Sequence, residues 1–314
     1  MSPTLLRLGY VGGPALRAQL GAVLEGFASL ESNDQADADV ELTFVEEAGL
    51  GESVATLVQA LGPRAVVLTT KRARELSAAL FEGTKLRHVM GVPWGSPVEL
   101  RAVLERAAGR CESVSLEAFF APGAHRLELT LRDSALQLRT VAEVERWAHQ
   151  QGFRDRQLEA VVYSVTEVVS NAFYDAPTDE AGAHVYAHLH RQKEVTLSPD
   201  KPVRLKALAD DQRMGFEVED LFGSLVPDDL SRTLARCLSR SADQLKTRPG
   251  GAGLGLFLTL DSMTSLLFDV EHSKRTRVIG LLDRAQSNKT YAQLPRSLHV
   301  FSTPSVAAQP ATKR

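Results

Sequence analysis

Two cysteines in 314 residues, Cys111 and Cys237, are too few and too far apart for a disulfide framework, and neither stands in a Cys-x-x-Cys or Cys/His spacing that would hold zinc. No uninterrupted apolar run reaches membrane-spanning length, and Met1 to Leu30 lacks the basic start, apolar stretch and small-residue cleavage site of a secretory signal. The expectation is a cytoplasmic protein with no membrane partner. Dense Lys/Arg blocks are missing as well, and with a net charge of −3 nucleic acid drops out as a partner. A Walker loop, which needs Gly-Lys-Ser/Thr after its glycines, is absent. What the chain does have is length and ordinary charged and apolar fractions, enough for two units of usual size.

As far as about Arg110, short β-type runs alternate with helical ones. Leu5 to Val11, Val40 to Val45, Ala65 to Thr69 and Leu86 to Val92 read as strands. Pro14 to Phe27, Glu52 to Leu61, Arg72 to Phe81 and Pro97 to Ala108 carry apolar residues at helical spacing. Such alternation predicts an α/β unit with a parallel sheet over residues 1–120. The chain changes unit at Ala121-Pro122-Gly123. Residues 121–284 then read as α+β: a strand at Arg126 to Leu131, helices at Ala135 to Gln150 and Asp155 to Ala176, and strands at His184 to His190, Val203 to Ala209, Arg213 to Glu219, Ser265 to Glu271 and Thr276 to Leu282. Residues 285–314 lose periodicity and read as a partly disordered tail.

Three segments could carry chemistry. On the Asp155 to Ala176 helix, Ser164, Glu167, Asn171 and Asp175 form one polar stripe, which a solvated helix face would also produce. A Glu one turn before an Asn is nonetheless chemically pointed. The amide oxygen can ligate Mg²⁺, and the carboxylate can orient or deprotonate a group attacking a phosphoryl centre. The second segment is Gly251-Ala252-Gly253-Leu254-Gly255-Leu256, where bare backbone leads into a helix start that favours anions. The third is Phe216 to Asp220, a strand ending in an acid able to accept from an exocyclic amine, followed by Leu221-Phe222-Gly223-Ser224. His184, His188 and His190 share one side of an expected strand, but no acid or Cys stands near them and a metal is not expected.

In order and spacing these elements resemble the Bergerat ATP fold of the GHKL superfamily (gyrase, Hsp90, histidine kinases and MutL), with the anti-sigma-factor serine kinases closest. The resemblance covers roughly Ala124 to Arg284. It implies a histidine-kinase-like ATPase domain over residues 121–284, an α+β sandwich binding ATP and Mg²⁺. Asn171 would ligate the metal, Glu167 would be the catalytic base, and Asp220 would hold adenine N6. Gly251, Gly253, Leu254 and Gly255 would hold the phosphates, Gly223 would belong to the turn after Asp220, and Thr276 would close the site on the last strand. Residues 224–249 would be a lid, with Lys246 and Arg248 offsetting phosphate charge. Two places depart from the pattern: Phe222 and Ser224 stand where the family has turn glycines, and Asp175 stands where it often has a base. A chain that had abandoned nucleotide would have little need of three bare glycines.

The first part resembles a response-regulator receiver. A working receiver needs an acidic pair after its first strand and a phosphoacceptor Asp after its third, where this chain is read as Gly9-Tyr10-Val11-Gly12 and Thr69-Thr70 with one strand-helix unit missing. Val92 stands where the Lys belongs. The resemblance therefore implies a pseudo-receiver or docking module over residues 1–120. The function expected is an ATP-binding signalling regulator of the partner-switching type, a serine/threonine-kinase-like protein with a protein partner and a second copy of itself as candidate contacts. The alternative is a non-catalytic scaffold.

Overall fold

A computed structural model of the chain describes residues 5–32, 41–50, 53–93, 97–239, 253–284 and 287–303. The first half runs β1 (Leu6–Val11), α1 (Pro14–Leu24), β2 (Ala28–Ser32), β3 (Leu42–Glu46), α2 (Glu47–Leu50), α3 (Ser53–Leu61), β4 (Ala65–Thr69), β5 (His88–Gly91) and α4 (Pro97–Ala107). The second half runs β6 (His125–Leu131), α5 (Gln137–Gln150), α6 (Asp155–Tyr174), β7 (Val203–Ala209), β8 (Arg213–Asp220), α7 (Pro227–Leu238), α8 (Leu254–Ser262), β9 (Ser265–Glu271), β10 (Arg275–Asp283), α9 (Asn288–Gln293) and β11 (Ser297–Thr303).

All of these strands lie in one mixed sheet, in the order β2-β1-β3-β4-β5-β11-β9-β10-β8-β7-β6. Pairing is parallel from β2 through β5, a doubly wound order, and antiparallel from β9 through β6. The strand that reading the sequence missed is β2: its Ala-Ser-Leu-Glu-Ser run is short and too polar to stand out, yet it pairs with β1 throughout. It supplies the strand that the receiver comparison lacked.

Residues 288–303 correct the expected tail. They form α9 and β11, and β11 is the strand between the halves, antiparallel to β5 and parallel to β9. Its Leu298 and Val300 enter one core and Phe301 the other, the period-2 alternation of a strand buried on both faces. Polar flanks had hidden that alternation. Two further expectations fail. Arg72 to Phe81 makes two 3₁₀ turns, Ala73–Glu75 and Ala78–Leu80, rather than a helix. Residues 184–190 stay out of the sheet except for a bridge from His184 to Thr178; most of their side chains are exposed, so they have no face to bury.

The cores are divided by sheet face and not by half. One face carries α3, α5, α6, α7, α8 and α9. The other carries α1, α4 and a 3₁₀ turn at Leu116–Phe119, and there Leu8, Phe44 and Val66 of the first half share a cluster with Leu208, Leu267 and Ile279 of the second. Charge pairs fasten α4 across the seam. Arg106 Nη2 lies 2.8 Å from Asp269 Oδ1 on β9, and Arg213 on β8 lies 2.9 Å from Glu99.

Candidate functional site

Helix α6 is long because Val161, Val165, Val168, Val169, Ala172 and Phe173 recur at three- and four-residue spacing and bury one face on the sheet. Its opposite side meets α8, and the C-terminal part of α6, the β8 end, the β10 start and the first turn of α7 line a half-open cavity of about 190 Å³. Asn171, Asp220, Thr276 and Leu256 all line it, as do Asp175, His184, Ser224 and Asp229. Val168, Val218, Phe268 and Val278 supply apolar wall. Elements spread along the sequence from Asn171 to Thr276 therefore converge on one space.

At its floor, Asp220 is buried and its Oδ1 accepts from the backbone N–H of Phe222 (2.9 Å) and of Gly223 (3.3 Å). Burial pushes its carboxyl up to about 6, although those two amides and Thr276 pull the other way. Thr276 faces Asp220 across the β8–β10 ladder, and its buried hydroxyl lies beside that carboxyl and helps to hold it down, without reaching full hydrogen-bond geometry.

Glu167 does not line the cavity. Its carboxylate lies between α6 and α8, 3.3 Å from Asn171 Nδ2, which donates to it, and burial raises its carboxyl above the ordinary range. A Cβ on Gly255 would lie 2.0 Å from that carboxyl group. Gly253, the N-cap of α8, has φ of 103°, and its Cβ would lie 1.8 Å from Thr233 Cγ2 on α7. Gly253 thus has a steric reason to be glycine, in its positive φ and the Thr233 methyl against it, whereas Gly255 faces only the movable end of the Glu167 side chain. Gly223, with φ of 61°, packs against the β9–β10 turn; its carbonyl accepts from Ser273 N at 3.1 Å, and a Cβ would sit 2.3 Å from Glu271 O. None of these three glycines lines the cavity. Leu254 is half-buried in the first turn of α8. Gly251, Lys246 and Arg248 lie outside the described residues.

Asp175 is not left to repel a ligand. Arg191 Nη2 lies 2.6 Å from its Oδ2, with the guanidinium 4.8 Å from the Tyr174 ring centroid. Sequence reading missed Arg191 because it sits sixteen residues on, in a loop without periodicity. The missed wall residues, Leu225, Val226 and Asp229, belong to the approach to α7 and its first turn. Among the described residues no group of three or more His, Cys, Asp and Glu side chains could hold a metal.

The carboxyl ends of the parallel strands present a second crevice, where doubly wound sheets usually bind ligands. The third strand of the chain is β3, so Glu46 and Glu47, and not Thr69-Thr70, stand at the third strand's end. Glu46 Oε2 accepts from Gly13 N (2.6 Å) at the start of α1 and from Tyr10 Oη (2.8 Å). Glu47 is buried and accepts from Thr69 Oγ1 (2.5 Å) and Lys71 Nζ (2.9 Å). A helix start that would attract an anion is already occupied by the chain's own carboxylate. No family model and no curated protein sequence matches the chain.

Proposed function

We propose that the second half is an adenine-binding module of the Bergerat type, carried by a signalling regulator that works through a protein partner. The observation that supports it most is the meeting of Asp220, Thr276 and Asn171 in one cavity: a buried acceptor, a buried hydroxyl beside it and a carboxamide, on apolar walls that suit a flat ring. ATP with Mg²⁺ is the form that the sequence pattern implies, with Asn171 as the metal's protein ligand. Phosphoryl transfer to a Ser or Thr hydroxyl would use Glu167 as base, which requires that carboxylate to turn away from Gly255.

The first half fits a receiver-like docking module that does no phosphoryl chemistry. Its strand order supports this reading, and Glu46 and Glu47 close the crevice in which such chemistry would occur. A partner protein, or a second copy of the chain, would then read its surface. The non-catalytic alternative gains from one particular fact: Gly253 is explained by its positive φ and the Thr233 methyl against it, so it no longer argues for phosphates by itself.

Calorimetric titration of the full chain with adenosine, Mg·ADP and Mg·ATP tests the adenine reading. At least one should bind, and Asp220→Asn should weaken it by about tenfold or more, the loss of a hydrogen bond to a charged acceptor. No heat from any of the three ligands, or unchanged affinity in Asp220→Asn, sinks the proposal. Incubation with labelled ATP and candidate partner proteins separates kinase from scaffold, since a scaffold yields no phosphoprotein.

A further inference from the structure

We propose that the junction of the first half, α6 and the C-terminal α9–β11 segment is a binding site for a phosphate monoester, separate from the cavity at Asp220. An open hollow of about 390 Å³ lies there, within the roughly 300–1,000 Å³ range of small-ligand pockets, and it shares no lining residue with that cavity. Arg72 and Arg74 reach it from the turn after β4, Arg156 from the first turn of α6, and Arg296 from just before β11. A second, more open hollow shares Arg72, Arg156 and Ala292 and adds Lys289 of α9. Five basic side chains thus line the two hollows against two acidic ones, Glu159 and Asp261.

Pairing within the fold offsets only part of this charge. Arg72 pairs with Glu75 and Arg74 with Asp261, but both arginines are exposed, so these contacts contribute little and leave the guanidiniums open to a further anion. Exposed Arg156 and Lys289 and buried Arg296 have no carboxylate partner among the described residues. Glu159 is likewise without a pair there, so the lining keeps an excess of positive charge. The undescribed residues nearest to this lining in sequence are Ala285 and Gln286, neither of which is charged.

Arg296 distinguishes the site from a surface patch of arginines. Its buried guanidinium donates to Asp261 O (2.9 Å), Leu294 O (2.7 Å), Pro295 O (3.4 Å) and Tyr291 O (3.3 Å), which engages at most four of its five N–H groups. Carbonyl dipoles orient the group without neutralising it, and a buried charge with no counter-ion is costly. Burial draws the guanidinium below its ordinary value, and the nearby charge of Arg72 acts the same way, against Tyr291 and Asp261. An oxyanion beside Arg296 would supply a counter-charge and could be shared with Arg156 and Arg72. Three guanidiniums exceed what one singly charged carboxylate can satisfy, and they match the three oxygens and nearly double charge of a phosphate monoester. Tyr163 lines the same hollow; burial, with the Glu167 charge, raises its phenol to about 12, so it remains a donor at neutral pH.

Calorimetric titration of the full chain at fixed ionic strength, with inorganic phosphate, O-phosphoserine and acetate as probes, tests the site. Both phosphate probes should bind and raise the unfolding temperature, with acetate weaker by about tenfold or more. Arg296 also braces the fold through its carbonyls, so the substitutions fall on exposed side chains. Arg156→Gln and Arg72→Gln should each weaken O-phosphoserine by about tenfold, the loss of a charge-assisted hydrogen bond. Arg146→Gln, at an exposed arginine of α5 outside both hollows, should change it by less than about twofold. A short phosphoserine peptide that binds more tightly than O-phosphoserine assigns the monoester to a partner's side chain, and one that binds no more tightly assigns it to a free small molecule; the site stands in both cases. No binding of either phosphate probe below about 10 mM, acetate binding as tightly as phosphate, or unchanged affinity in both Arg156→Gln and Arg72→Gln overturns it. None of these results depends on adenosine or ATP, so the adenine reading stands or falls separately.

Discussion

Asp220 shows how one residue's burial sets a measurable property. Burial pushes its carboxyl up to about 6 because desolvation of the charge outweighs the hydrogen bonds from Phe222, Gly223 and Thr276. An amine-donating ligand needs the ionised form, so affinity should hold above about pH 6 and fall by up to about tenfold per unit below it. Calorimetry from pH 8 to pH 5 checks this, and Asp220→Asn should flatten the profile. For folding the sign is opposite: a carboxyl raised from 3.8 favours the folded state most at low pH and loses that contribution as pH rises through about 6. Gly223 gives a second residue-scale test. Gly223→Ala places a methyl against the Glu271 carbonyl with φ still positive, which should cost about 3 kcal/mol by denaturant unfolding. An effect below about 1 kcal/mol would show that the turn relaxes freely.

Among the elements, β11 carries the largest structural consequence. Only two residue pairs join β5 to β11, and one of them is His88 with His299. Both imidazoles are buried, their ring centroids are 5.6 Å apart, and His88 Nδ1 and both His299 nitrogens have no partner. Burial pushes His88 down to about 3, with Arg87 and Arg106 adding to it, and His299 well below its ordinary value. Because both folded values lie beneath the unfolded one near 6.5, this stabilisation is complete above that pH and declines as pH falls toward about 3. The slope is about 1.4 kcal/mol per pH unit for each histidine. Urea unfolding at pH 7.5 and pH 5 should therefore show a smaller acid loss in the His88→Leu/His299→Leu variant than in the unaltered chain. Equal losses would place the acid sensitivity elsewhere.

For the whole molecule, the shared sheet and the cores that cross it predict cooperative unfolding of both halves. Calorimetry should give one transition rather than two, and Arg106→Leu should lower it as a whole. Removing one member of the buried Arg106–Asp269 pair should cost about 3–5 kcal/mol. Two separable transitions would mean that the halves fold independently in spite of β11. A fragment ending before residue 288 should aggregate, since it would expose the facing edges of β5 and β9.

Long amphipathic patterns were legible without coordinates. The α5 and α6 helices and β7, β8, β9 and β10 follow from periodicities that a helix or strand must show whenever one face is buried, and each lies within a few residues of its reading. Glu167 and Asn171 share a helix face for the same local reason. What periodicity cannot carry is which strand pairs with which, or what fills the space beside a glycine. A short polar strand such as β2 and a C-terminal strand such as β11 gain stability from partners supplied by distant sequence. The glycines at 253 and 255 looked like open backbone until Thr233 and Glu167 were found against them. The sequence by itself determined the local elements and the residue types available to the proposed site. Only the tertiary structure decided that the two halves form one sheet, that Glu46 and Glu47 find their partners at the ends of the parallel strands, and that Asn171, Asp220 and Thr276 meet in one cavity. Each of those outcomes depends on contacts between residues far apart in the chain, which no local pattern encodes.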